Sequence, residues 1–424
     1  MFPQKFTLSN GIRVVITPMD GTEAISVMVI VKAGSRCETK RINGLAHFSE
    51  HMLFRGGKRY KDKNSIAEAA DNIGADYNAE TSEETIAFYM QSASSQLEII
   101  VDILSDMIIN SRFLTRDIDR ERGVVIQEIK GDLDDPATQI LTDWQELIFP
   151  NHALGRPILG TVPSIKGFTR DDLLKYYLRF YANKNIVISV AGKISDVNNI
   201  FDILEKYFGS KPQTKASNWL KFQKSNAHSG NKVFLRKQDT QQAHLIVGVP
   251  AFARKHQLSP ATYLLSLILG GGMSSRLFSS IREKQGLCYH ISTDYIGMQD
   301  TGYFYTYAGV DITKIEQAII SVLVEYENVR REGITQQELD KAKSMLEGGL
   351  ALGLEGSMSV ARFFAEQELI YGNIRSIIEI LDSYRSLTLD DMFDAISKIL
   401  NKEKMLLSII GLFDNKEKFV KLIS

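Results

Sequence analysis

The chain lacks the features that mark several large protein classes. Its 424 residues include two cysteines, Cys37 and Cys288, far apart and in no CxxC pair. That excludes a disulfide framework and makes a reducing compartment the default. No run of about 18 apolar residues occurs, so no membrane span is expected. The opening residues Met1-Phe2-Pro3-Gln4-Lys5-Phe6-Thr7-Leu8 hold no apolar core of a secretory signal. Lys+Arg number 50 and Asp+Glu 51, a net charge of -1, so nothing draws the chain to nucleic acid or to an anionic membrane. The expected location is the cytoplasm, or an organellar matrix if a transit peptide has been removed. What is present is ordinary globular composition, 44% hydrophobic and 24% charged. At about 150 residues per domain, the length suggests two or three domains.

Periodicity sorts the first half into elements. Arg13–Ile16 and Ile25–Val31 read as strands. Helices are expected over about Gly44–Phe54 and over Ser65–Asn72, the second stopping at Gly74. Tyr77–Thr81 and Thr85–Met90 alternate as the arms of a hairpin. Leu97, Ile100, Val101 and Leu104 form the stripe of an amphipathic helix. Thr115 to about Asp132 follows as a helix, with Thr115 as its N-cap and Asp117 near its positive end. Ile186–Gly192 is an apolar strand. Residues 209–231 are small and polar and read as a linker.

The second half repeats the order. Leu245–Val249 answers to 25–31, Asp300–Tyr305 to Glu84–Tyr89, and Leu406–Gly411 to Val187–Gly192, the latter two at offsets of 216 to 219 residues. A steady offset argues for two copies of one domain. Strands and helices are grouped rather than strictly alternating. The expected fold is therefore α+β: two homologous domains, 1–208 and 232–424, each a largely antiparallel sheet covered by helices.

The chemistry centres on His47-Phe48-Ser49-Glu50-His51. Positions i, i+3 and i+4 share one face of a helix, so both imidazoles can reach one zinc ion. Glu50 beside them can take a proton from water, whose pKa zinc lowers to roughly 7. Two surface histidines would spell the same letters, so the third ligand matters. Glu121 and Glu128 lie two turns apart on the Thr115 helix with Val124 and Val125 between them, a face read as turned inward. A carboxylate there needs a cation or a donor.

Gly44–Phe54 resembles the inverted zinc motif of the pitrilysin family of metallopeptidases. The resemblance extends over nearly the whole chain, to Tyr77–Thr85, Glu121–Glu128, Leu154–Gly160, Gly270–Phe278 and Arg282–Tyr289. Its shorter members are the mitochondrial processing peptidases and their bacterial relatives. The resemblance implies His47, His51 and Glu128 as ligands of one Zn2+, Glu50 as base, and Glu121 as the residue orienting a ligand. It implies that Asn78 and Ala79 lie on an edge strand to which a peptide substrate adds, and that Arg282 and Tyr289 contact that peptide near the scissile bond. The second half has Ser275-Arg276-Leu277-Phe278 in place of a metal motif, as in the family's non-metal domain.

Long family members close four such domains into a clamshell. This chain supplies half, so a homodimer is expected, with a heterodimer as the alternative. The implied activity is zinc-dependent endoproteolysis of extended or unfolded peptides, presequence-like ones included, in a closed chamber. The competing reading is a silent structural or assembly subunit, like the respiratory-chain core proteins. One departure stands out. The processing peptidase has acidic residues about ten and fourteen positions after its carboxylate ligand that read an arginine; Thr138 and Thr142 stand there in this chain, with Asp134, Asp135, Asp143 and Glu146 nearby as substitutes.

Overall fold

β-Branched and aromatic residues build two sheets in the computed structural model, which describes residues 2–217, 219, 221–222 and 232–424. The expected linker at 209–231 lies partly outside the described residues, at 218, 220 and 223–231. The first sheet comprises β1 (Gln4–Thr7), β2 (Arg13–Pro18), β3 (Ala24–Val31), β4 (Asp76–Thr81), β5 (Ile86–Ala93) and β6 (Ile186–Gly192), in the order β1-β2-β6-β3-β5-β4. The second comprises β7 (Val233–Lys237), β8 (Ala243–Ala251), β9 (Cys288–Gly297), β10 (Gly302–Val310) and β11 (Leu406–Gly411), in the order β7-β11-β8-β10-β9. Without β1, the two orders are the same. One pair in each sheet is parallel, β2 with β6 and β7 with β11, and the rest are antiparallel. The fold is the expected α+β duplication.

Five helices of the first half are α1 (Leu45–Leu53), α2 (Lys63–Asn72), α3 (Leu97–Ile109), α4 (Thr115–Asp134) and α5 (Pro136–Ile148). Asp62 and Ser65 cap α2 reciprocally, and Gly74 beyond its end takes a φ of 58° that favours glycine. The stripe Leu97, Ile100, Val101, Leu104 of α3 is buried, as its spacing requires. Two local expectations are corrected. Thr115 is the first residue of α4 and not its cap, because the Leu114 carbonyl already accepts the Ile118 N–H at 3.1 Å. Val124 points to solvent; the inward face of α4 is Ile118, Glu121, Val125 and Ile129.

The chain divides into two compact units. The first comprises Met1–Lys130, Arg156–Leu220 and Ala351–Ser376; the second comprises Gly131–Gly155, Lys221–Leu350 and Ile377–Ser424. Each unit thus includes a helix from the other half of the sequence. In the first, helix Ser357–Tyr371 packs on β3 and β6. There Ser357 Oγ meets Ser26 Oγ at 2.8 Å, and buried Glu368 takes Arg13 Nη1 at 3.1 Å and Lys5 Nζ at 2.5 Å. This helix covers β3 and β6, whose residues are almost all buried, and that explains their apolar runs, interrupted only by Ser26 and Ser189.

In the second unit α5 packs on β8 and β11. Its Trp144 is fully buried against Tyr303 and Tyr305, and a Cβ at Gly248 would lie 2.9 Å from the indole. Asp143, also fully buried, accepts from Arg236 Nε at 2.6 Å and from Gln139 Nε2 at 3.0 Å. Removing one partner of a buried ion pair leaves a desolvated charge. Arg236→Met is therefore expected to cost about 3 kcal/mol, and Arg236→Met with Asp143→Leu to recover most of it. Urea melts of the full chain check this; equal midpoints for wild type and the single variant would contradict it.

Candidate metal centre

Helix α1 is held by its apolar side. Leu45, Ala46, Phe48, Met52 and Leu53 are buried, and Phe48 meets Phe168 edge-on at 4.9 Å. That leaves His47, Glu50 and His51 on the remaining face. The helix begins at Gly44, whose φ of 95° and whose Cβ position, 2.5 Å from the Leu159 carbonyl oxygen, admit only glycine. On α4 the buried side of Ile118, Val125 and Ile129 turns Glu121 and Glu128 toward α1.

The two elements bring the expected ligand atoms together. Glu128 Oε2 lies 3.5 Å from His51 Nε2 and 3.9 Å from His47 Nε2. Two atoms bound to one tetrahedral zinc at about 2.0–2.1 Å would lie roughly 3.3 Å apart. The carboxylate side chain is 40% exposed, yet its Oε2 is buried and has no hydrogen-bond partner among the described residues. A buried carboxylate oxygen facing two ring nitrogens, with no donor, suits a shared cation. His47, Glu50 and His51 also offer ligand atoms within 4.8 Å of one another. Glu50, however, already has a partner: its Oε2 accepts from Thr81 Oγ1 at 2.5 Å. Glu128 is therefore the better candidate for a third ligand, and Glu50 lies beside the three facing atoms.

The surroundings set the protonation states. Burial, with a smaller contribution from His51, pushes the His47 imidazole down to about 3, so the ring is neutral as a metal ligand must be. Its Nδ1 is buried without a partner among the described residues, so packing holds this ring. His51 Nδ1 lies 3.0 Å from Glu121 Oε2. A carboxylate only accepts, so His51 donates through Nδ1 and keeps Nε2 free to bind. Burial raises the Glu50 carboxyl above its ordinary value, with the Thr81 hydrogen bond opposing. Two participants went unread in the sequence. Thr81 stands at the end of β4, and its alternation with Ala79 and Tyr77 signals the face it shares with them. Arg55, just past α1, pairs with Glu121 and balances that buried charge.

The remaining expected residues have these positions. Asn78 and Ala79 lie on β4, one of the two outer strands of the first sheet, where Asn78 Oδ1 accepts the Ala79 N–H at 2.8 Å. Arg282 belongs to a π-helical turn, Phe278–Lys284, a geometry frequent at functional sites. Its guanidinium lies 4.5 Å from the Phe278 ring and 5.3 Å from that of Tyr289, which is 77% exposed. Arg276, in the stretch that replaces the metal motif, pairs with Glu338 at 2.5 Å. Among the acids considered as substitutes at Thr138 and Thr142, Asp143 is withdrawn by its pairing with Arg236. Asp135 is engaged as the cap of α5, taking the Ala137 N–H and the Thr138 hydroxyl. Neither is a free reader of arginine.

Helix-covered antiparallel sheets, with a His-x-x-Glu-His helix facing a carboxylate on a second helix, define a metallopeptidase scaffold. Residues 13–162 match the family model described as Insulinase (Peptidase family M16), and residues 167–346 match Peptidase M16 inactive domain. The chain is 32% identical over 409 residues to a Bacillus subtilis protein named "Uncharacterized zinc protease YmxG", covering 96% of this chain and 98% of that one. The chain belongs to peptidase family M16. Its fold is shared by a Helicobacter pylori protease structure, with a TM-score of 0.89 at 22% identity over 97% of this chain and 99% of that one. It is also shared by a chain of complex III2 from Candida albicans, with a TM-score of 0.82 at 19% identity over 99% of each. Among the described residues, no helix is long and apolar enough to cross a membrane.

Proposed function

We propose that this chain is a zinc metalloendopeptidase that hydrolyses extended or unfolded peptides, presequence-like segments among them, in an enclosed chamber formed by two copies. The observation that carries the reading is the Glu128 oxygen without a donor, 3.5 and 3.9 Å from the two Nε2 atoms. His47, His51 and Glu128 would hold the zinc. When bound, zinc polarises a carbonyl and lowers the pKa of water. The chain's own residues do the rest. Glu50, fixed by Thr81, takes the proton of the attacking water and delivers it to the leaving amine; its raised proton affinity suits that exchange. Glu121 keeps the His51 ring in the tautomer and orientation that present Nε2. The outer edge of β4 at Asn78 and Ala79 pairs with the peptide main chain, which makes binding largely independent of sequence. Tyr289 donates to the developing oxyanion and Arg282 steadies the peptide backbone, each serving the partner copy.

The test is the purified chain alone on a peptide library, with and without a chelator, together with its mass by light scattering. Chelator-sensitive cleavage by a dimer is expected. A zinc-loaded chain that cuts nothing until a second, different chain is added would replace the homodimer by a heterodimer. One that cuts nothing in any company would make it a structural subunit. Glu121→Ala is expected to keep the fold and to lower zinc affinity by about 10–100-fold, the usual loss when a ligand's supporting partner is removed. A competition titration checks it, and an unchanged affinity would remove Glu121 from the site.

A further inference from the structure

Helix α1 has no cap of its own. Its N-cap residue is Gly44, which has no side chain to accept the first N–H groups. The acceptor comes from outside the helix. Glu38 is completely buried, and its Oε1 takes the Ala46 N–H at 2.6 Å while its Oε2 takes the Gly44 N–H at 2.9 Å and Asn43 Nδ2 at 3.0 Å. Burial pushes this carboxyl up to about 7, and the three donors pull against that rise. Residues 156–160, part of a stretch matched in the sequence but given no task by the mechanism, close around the same spot. Arg156 donates to the Glu38 carbonyl at 2.5 Å, and Asn43 Nδ2 donates to the Pro157 carbonyl at 2.9 Å. Gly160 has a φ of 78°, and a Cβ there would lie 2.4 Å from the Asn43 carbonyl oxygen. Ser164 Oγ donates to that carbonyl at 2.7 Å.

We infer that Glu38 is a positioning residue for the metal centre: through the Gly44 and Ala46 N–H groups it fixes the rotation and depth of the helix whose next residue is His47. This rests on the reading of His47, His51 and Glu128 as zinc ligands. A helix turns by 100° per residue, so a small rotation at its start moves both imidazoles relative to Glu128, which comes from another helix. The carboxylate is suited to the place because both its oxygens accept and its charge faces the positive helix end. An amide does not replace it. In Glu38→Gln one set of donors meets an NH2 group, so one of the two contacts to the helix start is lost.

The experiment measures zinc affinity by competition with a fluorescent chelator, and the visible spectrum of the cobalt-substituted protein, for the full chain at a temperature where the metal-free form is folded by circular dichroism. Glu38→Gln is expected to weaken zinc binding by about 10–100-fold and to shift the cobalt bands, which report ligand geometry. Asn43→Ala, which removes one donor and leaves the helix contacts, is expected to weaken binding less and guards against a Glu38 variant that does not fold. Unchanged zinc affinity and cobalt bands in folded Glu38→Gln, with only a lower melting temperature, would reduce Glu38 to a stability residue and overturn the inference. If Glu38→Gln does not fold, unchanged zinc affinity and cobalt bands in Asn43→Ala overturn it as well. A wild type that binds no zinc would instead sink the underlying metal reading, so the two failures are distinct.

Discussion

Glu50→Gln is expected to lower the turnover of peptide cleavage by about 10²–10⁴-fold while one zinc per chain stays bound. The substitution keeps the shape of the side chain and an acceptor for Thr81 Oγ1, now 2.5 Å from Glu50 Oε2, but removes the ability to take a proton. Because Glu50 already has that partner, the proposed reading gives the metal to His47, His51 and Glu128 and the proton to Glu50. Turnover and metal content measured on the same preparation separate the two roles. Loss of zinc in the variant would make Glu50 a ligand, and retained turnover would place the base elsewhere.

The second large effect is expected at Glu128, where alanine leaves two imidazoles and no third protein ligand. Structural zinc sites bind with apparent energies of about 10–16 kcal/mol, roughly 3 kcal/mol for each of four ligands. Losing one ligand corresponds to about a 10²–10³-fold weaker affinity. Metal analysis after dialysis is expected to find wild type loaded and Glu128→Ala largely empty, with cleavage lost in proportion. The two variants therefore differ in kind: Glu50→Gln keeps zinc and loses chemistry, whereas Glu128→Ala loses both. A Glu128→Ala protein that retained zinc would shift the third ligand to Glu50, whose ligand atoms lie within 4.8 Å of both histidines.

How much of this was legible beforehand depends on the range of each interaction. The strands at β2, β3, β6, β8 and β11 were readable because β-branched runs and alternation report local burial. The face shared by His47, Glu50 and His51 was readable because helix geometry alone places them. The inward turn of α4 was half right: Glu121 and Val125 face in, while Val124 does not, since one residue is a 100° step and an apolar letter does not choose its side. The acids near Thr138 looked available because charge is visible in a sequence and pairing is not. Asp143 is bound to Arg236, 93 residues away.

By itself the sequence determined the duplicated α+β order, the shared face of His47, Glu50 and His51 on α1 and the presence of two carboxylates two turns apart on α4, because each follows from patterns within single elements. Only the tertiary structure decided that Glu128 Oε2 reaches both rings without a donor, that Thr81 occupies Glu50, and that Glu38 supplies the cap Gly44 lacks. It also decided that α5 and helix Ser357–Tyr371 each join the unit of the opposite half. Local patterns define which face of an element must be covered; what covers it is settled by contacts between residues far apart in the chain, and those leave no period to read.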